Sequence, residues 1–510
     1  MTGGCTRRNF LKAQSAAVAA LSMNQAAVAL SASDDGQALV VNPAPRHPLS
    51  PYLYMQFMEP LGTTDGSVSA AWDYGDNRWR EDVVEITRDL APAMLRWGGC
   101  FSSYYRWKEG IGPRDERVPM LNLLWGGMET NQVGTHEFVG FCRSVGAEPL
   151  YCVNFESDGR KPWMHSPVGG QRWGDAREAA EWVDYCNNAE HPLRRKHGLE
   201  EPCRVSFWQI GNETSYDRNG FDLETSIRKT REFAQGMRKV DPSIKIIGWG
   251  DSGWAKGMIE GAGEFLDYVA FHHMFNPETE AEELRFNNFR KDFDRTWDVL
   301  MNAYRKHEAK IKGIYEETSG YEMPIALTEC HFAIPGRNRC EVLSTWAAGV
   351  SYARMLNVHE RYGDKLKIAT AADFCGTRWQ VNAVMIPVPG GRSFLMPVAQ
   401  VTRLYRKYSG DRYLEIRRAP DGLDVTASRS GERVYLHVVN TYKNQSVKAN
   451  LRVEGQSIRS GRIVEMAAEP EFETMRFEDM VVPQEKHLPG DAHWTFPAAS
   501  VSAVELELAV

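Results

Sequence analysis

The sequence predicts an α/β protein in which a (β/α)₈ barrel is followed by a C-terminal β-sandwich. Between about residues 50 and 410, short apolar runs alternate with amphipathic helical stretches, as in a parallel sheet with helical connections. After about residue 411 the pattern changes to alternating strands with Gly and Asn turns. The chain has 510 residues, 43% of them hydrophobic, enough for one large domain and one smaller domain.

Eight apolar runs are bounded by Gly, Pro, Asp or charged clusters, which is typical of strands. They are LYMQFME (53–59), AMLRWGG (93–99), EPLYCVNF (148–155), VSFWQIGNE (205–213), KIIGWGDS (245–252), LDYVAFHHM (266–274), PIALTECHF (324–332) and KIATAADFCG (367–376). Stretches with apolar residues three and four apart lie between them, at 135–146, 222–240, 293–311 and 340–356. Eight such units favour a closed barrel. A doubly wound open sheet is the alternative, but no G-x-G-x-x-G turn follows the first run.

These patterns divide the chain into four parts. Residues 51–410 form the predicted barrel and 411–510 the predicted sandwich, and the segment 30–50 is expected to join the sandwich as an edge strand. Residues 1–29 have the features of a twin-arginine export signal: Arg7-Arg8, an Ala-rich apolar middle and an Ala27-Val28-Ala29 cleavage site. We therefore expect a periplasmic or secreted protein.

The net charge, the length of the apolar runs and the cysteine spacing argue against nucleic acid, membrane and zinc as partners. A net charge of −7, from 60 basic and 67 acidic residues, gives no basic field for nucleic acid. No run after the signal reaches the ~18 apolar residues of a membrane span, so no membrane association is expected after cleavage. The cysteines are scattered without a C-x-x-C pair, which argues against a zinc site and leaves one or two disulfides open. The sequence is compatible with a homo-oligomer but does not determine the oligomeric state.

Acidic residues occur where apolar strands end. Glu213 ends the fourth run, Glu329 lies near the end of the seventh and Glu59 ends the first, while Arg96 lies near the end of the second. Active sites of such barrels lie at the carboxyl ends of the strands. A ring of structural ion pairs is one interpretation of these charges. Glycoside hydrolysis is the other, because it uses two carboxylates held in different environments.

At this point the sequence resembles glycoside hydrolase family 51, the α-L-arabinofuranosidases, over most of its length after the signal. The motifs follow the family's order and approximate spacing: YMQFMEPLG, LRWGG with RWKEGIGPR, GTHEFVGFCRSVGAEP, WVDYCN, WQIGNE and WTFPAASVSAVELEL. The resemblance implies that Glu213 is the general acid/base and Glu329 the nucleophile. It makes Asn212 the residue that hydrogen-bonds the sugar hydroxyl next to the reacting carbon.

The resemblance also assigns further substrate-binding residues. Glu59 and Arg96 match residues that line the sugar pocket, His272 matches the family's strand-six histidine, and Gln380 lies near the family's strand-eight glutamine. His273 is expected on the opposite face of its strand.

Four departures from the family pattern surround the same pocket. Cys100 follows Gly98-Gly99 where the family has an Asn, Met274 replaces a Tyr and Cys330 follows the nucleophile in place of a Trp. On strand eight, Trp379-Gln380-Val381-Asn382 leaves open whether Gln380 takes the place of the family's Gln. These differences bear on which sugar is bound.

The favoured function is a secreted, retaining exo-glycosidase that acts without cofactor or metal on terminal α-L-arabinofuranosyl groups of plant polysaccharides or glycosides. Insertions at 100–134 and 156–176, rich in Trp, Gly and Met, would close the site. The alternatives are a retaining glycosidase of the same clan on another furanose, a β-xyloside or a β-glucan, and a non-catalytic carbohydrate-binding protein. A metallohydrolase using His272, His273 and His331 lacks the H-E-x-x-H spacing.

Overall fold

The computed structural model describes residues 37–60, 67–157, 162–216, 220–275, 282–334, 341–377, 380–388, 390–474 and 480–509. The predicted export signal lies outside these residues. Within them, no helix has the length and apolar character needed to cross a membrane.

Strands are numbered in chain order: β1 (Ala38–Pro48), β2 (Gln56–Met58), β3 (Trp72–Asp73), β4 (Arg78–Trp79), β5 (Met94–Trp97), β6 (Met120–Asn122), β7 (Met128–Glu129), β8 (Glu148–Val153), β9 (Met164–His165), β10 (Phe207–Ile210), β11 (Lys245–Trp249), β12 (Tyr268–Phe275), β13 (Ile325–Phe332), β14 (Leu366–Ala369), β15 (Asp373–Gly376), β16 (Asn382–Met385), β17 (Phe394–Leu395), β18 (Arg412–Arg418), β19 (Leu423–Ser430), β20 (Arg433–Asn440), β21 (Val447–Val453), β22 (Ile458–Ala467), β23 (Gln484–His487), β24 (His493–Phe496) and β25 (Ser500–Leu508).

The α-helices are α1 (Ser67–Ala71), α2 (Glu81–Leu90), α3 (Thr135–Val145), α4 (Ala176–Asn187), α5 (Pro192–Lys196), α6 (Leu223–Val240), α7 (Ala255–Ala262), α8 (Phe293–Asn302), α9 (Tyr304–Glu317), α10 (Trp346–Arg361) and α11 (Pro397–Lys407).

The first sheet is a closed parallel barrel. β2, β5, β8, β10, β11, β12, β13 and β14 pair in that order. The ring closes where the Met55 N–H donates to the Ala369 carbonyl at 2.9 Å. β15 continues the eighth strand and pairs with β2, Asp373 opposite Phe57. The predicted barrel is therefore confirmed, with its eighth strand divided into β14 and β15.

The barrel interior is filled by side chains. Its strands, with Met55 just before β2, contribute a buried cluster of Met55, Met94, Leu150, Phe207, Ile247, Trp249, Ala270, Ala326 and Ile368. The centre is thus a packed core and not a channel, which leaves the carboxyl ends of the strands as the place for a ligand.

The outer helices pack by amphipathic spacing, as α6 illustrates. Asp222 caps its start by accepting a hydrogen bond from the Thr225 N–H, and Phe233, Ala234 and Met237 are buried on one face. Proline follows at position 242, one residue after the helix cap, where it cannot continue the helix.

The second sheet has nine strands in the order β23-β22-β25-β20-β19-β18-β1-β21-β24. Leu39 of β1, Ile463 of β22 and Phe496 of β24 share one hydrophobic cluster, so the sheet curls until strands near its opposite edges face each other, as in a sandwich. β1 pairs antiparallel with β18 and parallel with β21. The expectation of an edge strand was wrong, because β1 has a neighbour on both sides.

The insertions after β5 and after β8 together form a small antiparallel sheet in the order β7-β6-β9, to which the second insertion contributes β9. All seven cysteines within the described ranges are free thiols, so none of them forms the disulfides that the sequence left open.

Candidate active site

A cavity of about 370 Å³ lies at the carboxyl ends of the barrel strands. This volume is near the lower end of the ~300–1,000 Å³ common for small-molecule pockets. Its wall consists of Phe57, Glu59, Cys100, Trp125, Glu213, Tyr216, His272, His273, Met274, Lys310, Glu329, His331 and Asp373.

Glu213 enters this cavity from the turn that follows β10. Gly211 has φ +78° and Glu213 itself has φ +54°. A left-handed backbone is costly for a non-glycine residue and is found repeatedly at active sites. The turn sets Glu213 Oε1 3.0 Å from His272 Nδ1. Its Oε2 lies 3.6 Å from the Cys100 thiol, which donates to it.

Glu329 is brought in by an irregularity in β13. Phe271 of β12 is opposite Leu327, but the next residue, His272, is opposite Glu329, so Thr328 is the extra residue of a bulge. Without this bulge, Glu329 would fall out of register with His272. Its carboxylate is buried, with Oε2 3.7 Å from His272 Nδ1.

The two carboxylates are close. One oxygen of Glu213, one oxygen of Glu329 and a ring nitrogen of His272 all lie within 4.8 Å of one another. Three such atoms would also suit a metal ion. The Arg96 guanidinium, however, donates to Glu329 Oε1 at 2.7 Å, and this fixed positive charge disfavours a second cation at the same carboxylate.

Arg96 organises the base of the site from β5. It is fully buried and donates to Glu329, to Gln209 Oε1 at 2.9 Å and to Asn212 Oδ1 at 2.7 Å. The ion pair compensates for the burial of both charges. The amide of Asn212 is oriented by this contact, and its Nδ2 is buried without a hydrogen-bond partner in the described part of the chain. That nitrogen is therefore available to a ligand oxygen.

Glu59 follows β2 and accepts a hydrogen bond from the Phe101 N–H at 3.0 Å. Gly99, at φ +108°, passes so close that a Cβ there would lie 2.3 Å from the Glu59 Cδ. Burial, together with the negative charge of Glu329, raises the pKa of Glu59 well above its usual value. This shift favours the protonated form of the Glu59 carboxyl, which can donate a hydrogen bond.

His272 is held in one orientation. Its Nε2 contacts Thr328 Oγ1 at 2.9 Å and its main-chain N–H donates to Asp251 Oδ2 at 3.2 Å. Asp251 also accepts from the Tyr216 hydroxyl at 2.7 Å and pairs with Lys310. Burial lowers the pKa of His272 to about 4, so the ring that faces Glu213 is neutral at neutral pH.

The structure brings together the sequence-predicted residues, with one exception. Those that converge on the cavity or on its base are Glu59, Arg96, Asn212, Glu213, His272 and Glu329. Gln380 is buried between β15 and β16 and is not among the described residues that line the cavity. Its role in binding stays a prediction.

The departures from the family pattern separate into two groups. Cys100 and Met274 line the cavity. Cys330 does not, because its thiol lies 3.9 Å from His307 Nδ1 on the outer side of β13, whereas the adjacent His331 lines the cavity. His273, expected on the opposite face of its strand, also reaches the cavity wall.

Several wall residues were not identified from the sequence. Trp125 belongs to the Trp-rich insertion that was expected to close the site, so its region was anticipated but not the residue. No spacing or motif distinguishes the others: Phe57, Tyr216, Lys310 and Asp373.

Comparisons with known proteins agree with this geometry. A family model described as Alpha-L-arabinofuranosidase 1 domain matches residues 86–296, and one described as Alpha-L-arabinofuranosidase C-terminal domain matches residues 331–500. The second match begins within β13, so the limits of the two family models do not coincide with the two sheets.

Curated relatives cover the chain in part. A probable α-L-arabinofuranosidase C of Aspergillus flavus is 32% identical over 48% of this chain and 45% of its own length. An intracellular exo-α-(1→5)-L-arabinofuranosidase of Acetivibrio thermocellus is 29% identical over 52% of this chain and 53% of its own length. The chain thus spans about half the length of the curated relatives it matches.

Solved structures match almost throughout. The α-L-arabinofuranosidase of Thermotoga maritima, in its arabinose complex, has a TM-score of 0.73 and 25% identity, covering 92% of this chain and 100% of its own. The family 51 arabinofuranosidase of Xanthomonas axonopodis pv. citri has a TM-score of 0.76 at 21% identity, with the same coverage, and supports the fold.

Proposed function

We propose, starting from the fact that the chain belongs to the α-L-arabinofuranosidase-like proteins of glycoside hydrolase family 51, that it hydrolyses terminal α-L-arabinofuranosides with retention of configuration. One observation supports this above all others. Glu213 and Glu329 each bring a carboxylate oxygen within 4.8 Å of the other. Retaining glycosidases hold their carboxyl groups at roughly 5–5.5 Å, whereas inverting enzymes need ~6.5–9.5 Å to admit a water.

The arrangement supports a two-step displacement. Glu329 attacks the anomeric carbon while Glu213 gives its proton to the departing glycosidic oxygen, which leaves a glycosyl ester on Glu329 and an alcohol. Glu213, now a carboxylate, removes a proton from a water molecule, and the oxygen of that water attacks the same anomeric carbon. The ester bond breaks, Glu329 is released as an anion and Glu213 is again protonated.

The surrounding residues support each step. Arg96, 2.7 Å from Glu329, stabilises the anionic nucleophile that must be free to attack. Asn212 carries an unused Nδ2 donor suited to the sugar hydroxyl beside the reacting carbon. The neutral His272 ring, 3.0 Å from Glu213, positions the acid without adding a second charge. Glu59, in the cavity wall, can hydrogen-bond a hydroxyl of the sugar.

Exo action and export belong to the same proposal. A cavity of about 370 Å³ suits a terminal sugar better than an internal segment of a polymer. Residues 1–29 carry the twin-arginine features, and we infer export to the periplasm or beyond. Another furanoside is the second candidate substrate, because Cys100 and Met274 replace two family-typical polar residues in the wall.

Variants of the two glutamates test the roles. Glu213→Ala should slow cleavage of a natural glycoside ~10²–10⁴-fold but spare the first step for an aryl glycoside with a strongly acidic phenol, which departs without a proton. Glu329→Ala should abolish both reactions. Proton NMR of the initial product should show retention, and a fluorinated mechanism-based glycoside should label Glu329. An inverted first product, or a label on Glu59 or Glu213, would contradict the proposal.

A further inference from the structure

A hairpin beside the catalytic cavity has an apolar tip. The tip comprises Leu123, Leu124 and Trp125, between β6 and β7. The Asn122 N–H donates to the Gly127 carbonyl at 2.9 Å, and Asn122 Oδ1 accepts from the Trp125 N–H at 3.0 Å. These two bonds close the turn and hold its backbone.

The tip exposes its apolar side chains although it is firmly held. Leu123 is 59% exposed and Leu124 is 41% exposed. The Leu123 N–H donates to the Trp163 carbonyl at 2.8 Å, which ties the tip to the strand β9 region. Leaving these side chains in contact with water forgoes part of the stabilisation that burial would provide. Contiguous apolar exposure of this kind on an anchored element is characteristic of a binding surface.

The tip adjoins the cavity through Trp125, and Leu123 and Leu124 immediately precede that residue in the chain. Trp125 lines the same cavity as Glu213 and Glu329. The more exposed residues of that wall mark its open side, and Tyr216, 46% exposed, and the partly exposed Met274 belong to it. The buried base is charged and polar, whereas the open side presents the Trp125 and Tyr216 rings and the Met274 side chain. Lys310 is also partly exposed there, but it pairs with Asp251, which also accepts from the Tyr216 hydroxyl.

We propose that the tip binds the aglycone, and that this aglycone is an apolar aryl group and not a further sugar. The inference rests on the proposed function, which places one sugar in the cavity and sends the leaving group out through its mouth. A sugar at that position would need hydrogen-bonding partners for its hydroxyls. Leu123 and Leu124 offer none, but their side chains, with the Trp125 ring, would cover a flat hydrocarbon surface.

The experiment compares two aryl α-L-arabinofuranosides whose phenols have the same acidity, one a naphthol and one a phenol bearing a small polar substituent. Because the two leaving groups are equally acidic, a difference in kcat/KM reflects how each aglycone is bound and not how readily it departs. The measured quantity is the ratio of kcat/KM for the two substrates, which does not depend on the fraction of active enzyme. We expect the wild-type protein to favour the naphthyl glycoside, and the double substitution Leu123→Ser and Leu124→Ser to reduce the ratio roughly ten-fold.

Leu193→Ser is the matched control, because Leu193 is 37% exposed on α5, away from the cavity wall. It should leave the ratio within two-fold of wild type, a change of about 0.4 kcal/mol or less. A wild-type ratio near one, or the same ratio in wild type and double variant, would overturn the proposal.

Two further outcomes are separable. If neither glycoside is cleaved, the proposed function fails, and free 2-naphthol then tests the tip alone: saturation-transfer NMR should show weaker binding to the double variant, and equal binding would overturn the inference. If the tip instead contacts a second copy of this chain, light scattering will show a lower mass for the double variant with an unchanged kcat/KM ratio, which also overturns it.

Discussion

Gly99 shows at the residue scale how closely the site is packed. A Cβ at this position would lie 2.3 Å from the Glu59 Cδ, whereas a Cβ at Gly253, which also has a positive φ of +80°, would meet nothing within 4 Å. The two glycines therefore separate the effect of backbone strain from the effect of a displaced carboxyl group.

Gly99→Ala should lower kcat/KM by about 10²-fold, because moving Glu59 by ~1 Å misplaces a substrate contact. Gly253→Ala should leave kcat/KM near the wild-type value. Gly253→Ala should lose roughly 1 kcal/mol of unfolding free energy from the positive φ, measured by thermal denaturation, and Gly99→Ala should lose more because its Cβ also overlaps Glu59. Equal kcat/KM values for the two variants would show that Glu59 does not contribute to turnover.

Cys100 and Met274 are the wall residues through which the sugar preference can be altered. Cys100→Asn with Met274→Tyr adds hydrogen-bond donors facing the cavity, each contributing about 0.5–1.5 kcal/mol when paired. We expect the double variant to increase kcat/KM for an aryl α-L-arabinofuranoside relative to the best substrate among other aryl furanosides. If the wild-type enzyme already prefers the arabinofuranoside and both changes reduce its cleavage, these positions do not divert the specificity.

At the element scale, strand β1 determines the stability of the second sheet. It lies between β18 and β21 and places Leu39 and Val41 in the sheet's hydrophobic core. Its removal would expose the hydrogen-bonding edges of both neighbours and open that core.

A chain that begins at residue 49 should therefore be strongly destabilised and prone to aggregation, whereas one that begins at residue 37 should retain the stability of the longer chain. Differential scanning calorimetry and size-exclusion chromatography of the two chains provide the measurement. Soluble, monodisperse protein that begins at residue 49 and has an unchanged melting temperature would contradict the structural role of β1.

The elements also show what the sequence could predict. The eight barrel strands were identified because strands buried on both faces are short apolar runs, and Glu213 and Glu329 because acids at the ends of such runs need a function. The interior position of β1, the bulge at Thr328 and the placement of Gln380 were not. They depend on pairing between segments far apart in the chain, which local patterns do not encode.

At the scale of the whole molecule, a chain of histidines links the cavity wall to the core. His273 Nδ1 lies 3.4 Å from His307 Nδ1, and His307 Nε2 lies 2.8 Å from His359 Nε2. Burial lowers the pKa of His273 and His359 to about 4 and that of His307 well below its usual value. The folded protein thus holds these rings uncharged, while the unfolded chain protonates them near pH 6.5.

The contribution of these rings to the unfolding free energy should therefore be constant above pH 6.5 and fall as the pH decreases toward 4, because only the unfolded chain binds these protons. For His359 the full difference, from 6.5 to about 4, corresponds to about 3 kcal/mol. Urea denaturation between pH 4 and 8 measures the slope. His359→Gln should flatten it, whereas the same change at the exposed His165 should not. Identical slopes for both variants would refute the assignment.

The interior position of β1 also imposes an order on folding. Its partners β18 and β21 lie near the opposite end of the sequence, so a ribosome releases the first strand of the second sheet long before the strands that flank it. Most barrel strands pair with neighbours that are close in sequence. β1, in contrast, cannot pair until β18 and β21 have been synthesised, when most of the chain is complete. The second sheet can thus be completed only late, through contacts between segments far apart in the chain and after its C-terminal strands have been synthesised. Any segment that precedes β1 is therefore joined to an unpaired strand during synthesis, and to a folded domain only when the second sheet is complete.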